Sequence, residues 1–282
     1  MSIAAPVVPR ELHDWLRREV DRGCTHEAII HELMMRGIDP GTTRQLILQH
    51  LKQVGPVRQV SPVSLPRVTH LRKGGSLNID GHFVRVRQVW NDMLVAVLDN
   101  VLTSDECEEL IRRSRSRMKQ SRIVDHDTGE DALHPERVSE GAFYERCADA
   151  FIASIETRLA KIMDRPRQNG EGLQILRYGV GGEYRPHYDY FDPALPGSQR
   201  HLARGGQRVA TLIMYLNEPE DGGATAFPEL GIKVVPRRGS AVYFEYADSS
   251  GAIDSRSLHA GEPVRKGEKW IATKWVRQHV HH

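Results

Sequence analysis

The stretch from Leu173 to Gln278 limits the possible folds more than any other part of the chain. Short runs rich in β-branched and aromatic residues, "LQILRY", "VATLIMYLN", "IKVVPRRGSAVYFEY" and "WIATKWVRQ", are separated by the turn signals "EDGG", "RRG" and "RKGEK". Branched and aromatic side chains suit a pleated, half-buried surface, and Gly-rich turns reverse the chain between such strands. The strands follow the helical segments rather than alternating with them. That order implies an antiparallel sandwich or barrel with helices at one side. The expected class is α+β: a double-stranded β-helix (jelly-roll) core, flanking helices and an N-terminal helical region.

The texture changes twice before that stretch. Residues 1–55 read as a helical module. In "ELHDWLRREVDRG", Leu12, Trp15, Leu16 and Val20 recur at helical spacing, and "THEAIIHELMMRG" and "TTRQLILQHLKQ" repeat the pattern. Residues 56–81, with repeated Pro, Gly and Ser and no helical period, read as a linker. From residue 82 to 282 a third region begins with the strand-like "HFVRVRQV" and "MLVAVLDNVL". Within it, "TSDECEELIRRSRSRM" reads as a helix capped by Thr103 or Ser104, acidic first and basic last, as the helix dipole favours. "YERCADAFIASIETRLAKIM" is a second helix, and the polar "DHDTGEDALHPERVSEGA" between them reads as a surface loop.

Composition narrows the function classes. The 282 residues carry a formal net charge of only +2, which argues against a nucleic-acid wrapper. The three cysteines, Cys24, Cys107 and Cys147, form no CxxC pair, so neither a zinc ribbon nor a disulfide framework is indicated. No window approaches eighteen continuous apolar residues, and "MSIAAPVVPR" makes a poor signal peptide. The expectation is a cytoplasmic protein with no membrane and no nucleic-acid partner, and with a protein partner open to the N-terminal helices.

The chemistry starts at "YRPHYDYFDP", where His187 and Asp189 stand two apart and would share one face of a strand. His259 follows 70 residues after Asp189, in "SLHAGEPVRKGEKWIATKW". Two imidazoles and one carboxylate on one face of a metal leave three positions open, the facial triad of non-haem Fe(II) oxygenases. Lys269 follows ten residues later on a strand, where its ammonium could meet the far carboxylate of a chelating dicarboxylate. Tyr178 and Thr225 could add hydroxyl hydrogen bonds to that carboxylate. "GVGGEY" lacks phosphate-loop spacing and reads as the turn delivering the His187 strand.

Residues 95 to 277 resemble the 2-oxoglutarate- and Fe(II)-dependent prolyl 4-hydroxylase family. The matching pieces are "LQILRYGVGGEYRPHYDYFDP", "RVATLIMYLNEPEDGGATAFPELGIKVVPRRGSAVYF" and "LHAGEPVRKGEKWIATKW". The resemblance implies that His187, Asp189 and His259 hold iron, as the catalytic centre, and that Lys269, Tyr178 and Thr225 bind 2-oxoglutarate. It further implies that Tyr184, Arg208 and Trp275 face a substrate peptide. Ala224, in "GGATAF", stands where the family often has Glu. The implied cofactors are Fe(II), 2-oxoglutarate and O2, with ascorbate as reductant. The implied reaction hydroxylates a C–H bond, C4 of a prolyl residue in a peptide or protein being the first candidate. A free amino acid or small metabolite as substrate, and a non-catalytic metal-bound scaffold, remain as alternatives. The loops 123–142 and 192–206 are expected to close over the substrate, and the tail "HVHH" is expected to fray.

Overall fold

The computed structural model describes residues 68–120, 123–124, 131–132, 138–247 and 252–281. The N-terminal helices expected over residues 1–55 lie outside these. In chain order the described elements are α1 (Thr69–Arg72), β1 (Gly75–Ile79), β2 (His82–Trp90), β3 (Val95–Asp99), α2 (Ser104–Arg115), β4 (Lys119–Gln120), β5 (Ile123–Val124), β6 (Asp131–Ala132) and β7 (Glu140–Tyr144). Then come α3 (Ala150–Ile162), β8 (Gly170–Tyr178), β9 (Tyr184–His187), α4 (Ser198–Leu202), β10 (Arg208–Tyr215), β11 (Asp221–Gly222), β12 (Thr225–Phe227) and β13 (Ile232–Val234). β14 (Ala241–Glu245), β15 (His259–Gly261), β16 (Val264–Lys266) and β17 (Lys269–Arg277) complete the chain.

Two antiparallel sheets dominate. The larger has the order β1-β2-β3-β14-β10-β17-β8-β7-β4, and the smaller β13-β12-β15-β9. Side-chain alternation along the central strands explains what each face covers. Ala96, Leu98, Leu212, Met214, Tyr243, Trp270 and Ala272 join one core with Leu110 of α2 and Ile152, Ile155 and Leu159 of α3. Their alternates Val95, Val97, Ile213, Val242, Phe244 and Ile271 form a second core with Phe227, Ile232 and Val234 of the smaller sheet. The larger sheet is thus covered by helices on one face and by the smaller sheet on the other, the jelly-roll arrangement read from the strand pattern.

Local signals place the helices. Thr103 Oγ1 accepts from Glu106 N at 3.1 Å while Thr103 N donates to Glu106 Oε2 at 2.9 Å, a complete capping box. Asp149 Oδ1 accepts from Ile152 N at 2.9 Å and starts α3, so Tyr144, expected to open that helix, instead ends β7. The turn before β14 requires a glycine. Gly239 has φ +75°, its carbonyl accepts from Val101 N and Leu102 N, and a Cβ there would stand 2.4 Å from Leu102 O.

Four expectations change. Residues 68–81, read as part of a linker, belong to the barrel. Val68 and Leu71 are fully buried, and β1 pairs with β2 through a tight Asp80-Gly81 turn in which Gly81 N donates to Asn78 Oδ1. Three glycines and a serine there continue the Pro- and Ser-containing texture of the residues before them, and they mask a short plug and a hairpin. The region 123–142 is not one loop, since β5 pairs with β6 and β7 pairs with β8 in the larger sheet. The region 192–206 contains α4 and is anchored: the His201 ring stacks on Phe191 at 4.9 Å, and the Arg277 guanidinium donates to the carbonyls of His201 and Arg204. The tail is packed as far as His281, with His279 N donating to Gly205 O at 2.8 Å and His281 N to Gln168 O at 2.9 Å. Among the described residues no helix is long and apolar enough to cross a membrane.

Candidate active site

His187 closes β9 and His259 opens β15, and the two are register partners across the pair. Adjacent strands therefore deliver the two imidazoles to one place, with ring centroids 4.3 Å apart. Asp189 lies two residues beyond His187. Its Oδ1 is 3.8 Å from His187 Nε2 and its Oδ2 3.6 Å from His259 Nε2. One ligand atom from each of the three residues lies within 4.8 Å of the others.

The protonation of the imidazoles follows from their neighbours. His187 Nδ1 lies 2.8 Å from Arg185 O, and His259 Nδ1 lies 3.0 Å from Ser257 O. A carbonyl only accepts, so each Nδ1 carries a hydrogen, and each Nε2 is the ring nitrogen that faces the cluster as the ligand atom for a metal. Burial alone would raise the Asp189 carboxyl, but His259, His187, Arg208 and a hydrogen bond from Thr211 outweigh it and hold it below the usual carboxylate range. Two imidazoles whose Nε2 atoms face the cluster and an ionised carboxylate, with no thiolate, make a donor set that fits Fe(II).

A cavity opens from this cluster and is lined by Tyr178, Tyr184, Thr225, Lys269 and Trp275. Lys269, at the start of β17, faces Tyr178 across the β17–β8 register and is 3% exposed. No carboxylate forms an ion pair with it among the described residues. Its ammonium stands 5.5 Å from the ring centre of Tyr178 and 5.9 Å from that of Tyr215. Burial pushes it down to about 8, with Glu262 offsetting only part. A buried cation beside two aromatic rings is chemically incomplete, and an anionic ligand completes it. Tyr215, fully buried, donates its hydroxyl to Thr225 Oγ1 at 2.8 Å, which leaves the threonine proton to point elsewhere.

All but one of the residues singled out in the sequence line this cavity. Tyr184 stacks on the His187 ring with centroids 3.5 Å apart and 18° between planes. Trp275 is 8% exposed, and its Nε1–H has no hydrogen-bond partner among the described residues. Arg208 is the exception. Glu171 takes its Nε and Nη2 at 2.7 and 2.8 Å, and the guanidinium lies 4.1 Å over the Trp275 ring while Nη1 reaches Asp189 O at 3.3 Å. It supports the site from behind. Glu171, Thr211, Tyr215 and Tyr246 were not anticipated. The available signal was that Thr211 and Tyr215 carry the hydroxyls in the otherwise apolar "VATLIMYL".

The model of the 2OG-Fe(II) oxygenase superfamily matches residues 173–277, the span that holds every residue just described except Glu171. Over 204 residues the chain is 39% identical to probable prolyl 4-hydroxylase 8 and 40% identical to prolyl 4-hydroxylase 5, both of Arabidopsis thaliana. Each match spans 66% of this chain and 68% of the relative. Among solved structures, the viral collagen prolyl hydroxylase of Paramecium Bursaria Chlorella virus-1, in its 2OG complex, aligns with a TM-score of 0.51 at 30% identity, covering 65% of this chain and 95% of that one. The sheet order, the His-Asp-His cluster and these similarities agree, and the chain belongs to the prolyl 4-hydroxylase family of the 2OG-Fe(II) oxygenase superfamily.

Proposed function

We propose that the protein hydroxylates prolyl residues in a peptide or protein, with His187, Asp189 and His259 holding Fe(II) and Lys269, Tyr178 and Thr225 holding 2-oxoglutarate. The observation that carries this reading is the pairing of two halves in one cavity: a three-ligand metal cluster, and a buried lysine with no carboxylate partner among the described residues. The names of the similar plant and viral proteins support a prolyl substrate.

Bound at the cluster, Fe(II) supplies oxidative chemistry in which 2-oxoglutarate becomes succinate and CO2 and one atom of O2 becomes the product hydroxyl. The chain's own residues do the rest. Lys269 supplies a desolvated positive charge, and Thr225, its oxygen already accepting from Tyr215, is left to donate. Tyr184 and Trp275 offer aromatic faces on which an extended proline-containing segment can lie. Arg208 acts through the Trp275 face that it covers. Ascorbate is proposed as the reductant that keeps the iron ferrous.

Anaerobic reconstitution with Fe(II) and 2-oxoglutarate, then O2 with and without a panel of proline-containing peptides, tests the proposal. Succinate release coupled to a gain of one oxygen on proline is expected, and His187→Ala abolishes it. Succinate without peptide oxidation points to a free amino acid or other small substrate. A folded, iron-loaded protein that releases no succinate overturns the enzyme reading.

A further inference from the structure

One oxygen of the Asp189 carboxylate is engaged by the protein itself. Thr211 Oγ1, on β10, donates to Asp189 Oδ2 at 2.7 Å, and Thr211 is fully buried. The Tyr246 hydroxyl lies 3.1 Å from the same Oγ1. A threonine hydroxyl has one proton, and it is committed to the carboxylate, so the phenol donates in the second contact. Tyr246 is 1% exposed, and burial, reinforced by the Asp189 charge, raises its phenol well above its ordinary range, which keeps that donor protonated. Three groups from three segments are thus ordered Tyr246 to Thr211 to Asp189, each proton directed toward the ligand. The main chain of Asp189 is held separately, by Arg208 at its carbonyl.

We propose that Thr211 is a positioning residue for the metal, fixing the plane of the Asp189 carboxylate through Oδ2 so that the ligand is presented in one orientation, with Tyr246 polarising the threonine hydroxyl. A carboxylate hanging from a strand end can rotate about two side-chain torsions, and each orientation lost before metal binding lowers the ordering cost of binding. A donor chain in a dry interior strengthens each of its members, because a hydroxyl that accepts a hydrogen bond becomes a better donor and one that donates becomes a better acceptor. Groups that orient metal ligands in this way typically contribute 10- to 100-fold in metal affinity. Thr211 touches no cavity surface used by the co-substrate other than through Asp189, so its effect is expected on the metal first.

The inference rests on the reading of His187, Asp189 and His259 as ligands, and the test separates the two. The full chain is titrated with Co(II) alone, recording the d–d absorption and the dissociation constant, for the wild type, Thr211→Val, Thr211→Ser and His187→Ala. Thermal unfolding of each metal-free variant is recorded beside it. Thr211→Val keeps the shape and removes the donor, and is expected to weaken Co(II) binding 10- to 100-fold and to change the d–d band. Thr211→Ser restores the hydroxyl and is expected to bind within a few-fold of the wild type. Equal affinity and an unchanged spectrum for Thr211→Val overturn the proposal, and so does a loss that Thr211→Ser fails to restore. Should Thr211→Val not fold, Tyr246→Phe decides. A severalfold weakening is expected, and unchanged affinity and spectrum overturn the proposal. A wild type that binds Co(II) no better than His187→Ala refutes the ligand assignment instead.

Discussion

Lys269→Met is expected to make the co-substrate-free protein more stable at neutral pH while removing its ability to bind 2-oxoglutarate. The ammonium is 3% exposed and titrates at about 8 instead of 10.5. At about 1.4 kcal/mol per unit, that difference corresponds to roughly 3 kcal/mol by which burial disfavours the charged form in the folded state. Because the folded-state value is the lower one, the penalty is fully present below pH 8, where both states are protonated. It fades as pH rises from 8 to 10.5, where the folded state sheds its proton first, and is absent above that. Methionine keeps an unbranched stem of similar length, so packing against Tyr178 and Tyr215 is largely retained. Urea unfolding of metal-free protein should therefore show the variant up to about 3 kcal/mol more stable at pH 7, the gap closing toward pH 10.5. Saturating 2-oxoglutarate on the metal-loaded proteins should reverse the order. A ligand at a thousand times its dissociation constant adds about 4.1 kcal/mol to the wild type and nothing to a variant that cannot bind it. A variant less stable than the wild type at pH 7, or a difference that does not depend on pH, would refute the idea that this lysine is held charged and unneutralised.

Three further outcomes follow from the same geometry. Arg208→Ala leaves the buried Glu171 carboxylate with Arg277, 3.4 Å away, as its ion-pair partner among the described residues, and should cost about 3 kcal/mol in urea unfolding while lowering the rate through Trp275 and the Asp189 backbone. Glu171 itself is pulled down to about 2, chiefly by Arg208 against the opposing effect of burial. Its stabilisation is therefore complete above the unfolded value near 4.5 and is lost as pH falls toward 2, and Glu171→Gln should flatten the acid limb of stability in that window. Gly239→Ala combines a left-handed backbone with a contact of 2.4 Å to Leu102 O, and should lower stability by at least about 2 kcal/mol, read as a shifted unfolding midpoint with an unchanged slope.

The sequence revealed the parts of this protein that are written in local pattern. Branched residues alternating along β10 and β17 announce strands with two buried faces, and Thr103 with Glu106 announces the start of α2. The ligand set was legible because its spacing is itself local at His187 and Asp189, and because Lys269 follows His259 closely. What escaped depends on partners distant in the chain. Nothing near Arg208 in sequence predicts that Glu171, 37 residues earlier, occupies its guanidinium, and nothing near Thr211 predicts contact with both Asp189 and Tyr246. Residues 68–81 misled for a different reason. Asp80-Gly81 is a hairpin signal, with Asp80 at φ 52° and Gly81 at φ 89°, but it sits in a stretch whose overall composition reads as linker.

The short helix α1 sets where this catalytic unit can be cut. Val68 and Leu71 fill one end of the core, His70 Nε2 lies 2.7 Å from Ile162 O at the end of α3, and Val68 N donates to Glu245 Oε1 at 3.3 Å. The same carboxylate oxygen receives the Tyr243 hydroxyl at 3.0 Å and Arg165 at 2.7 Å, and Tyr246 is the very next residue of the chain. A truncation placed at residue 82, where the composition suggests a boundary, would empty that socket and remove β1 from the edge of the larger sheet. A junction at residue 67 keeps the plug. Residues 68–72 must therefore travel with the barrel wherever the chain is cut.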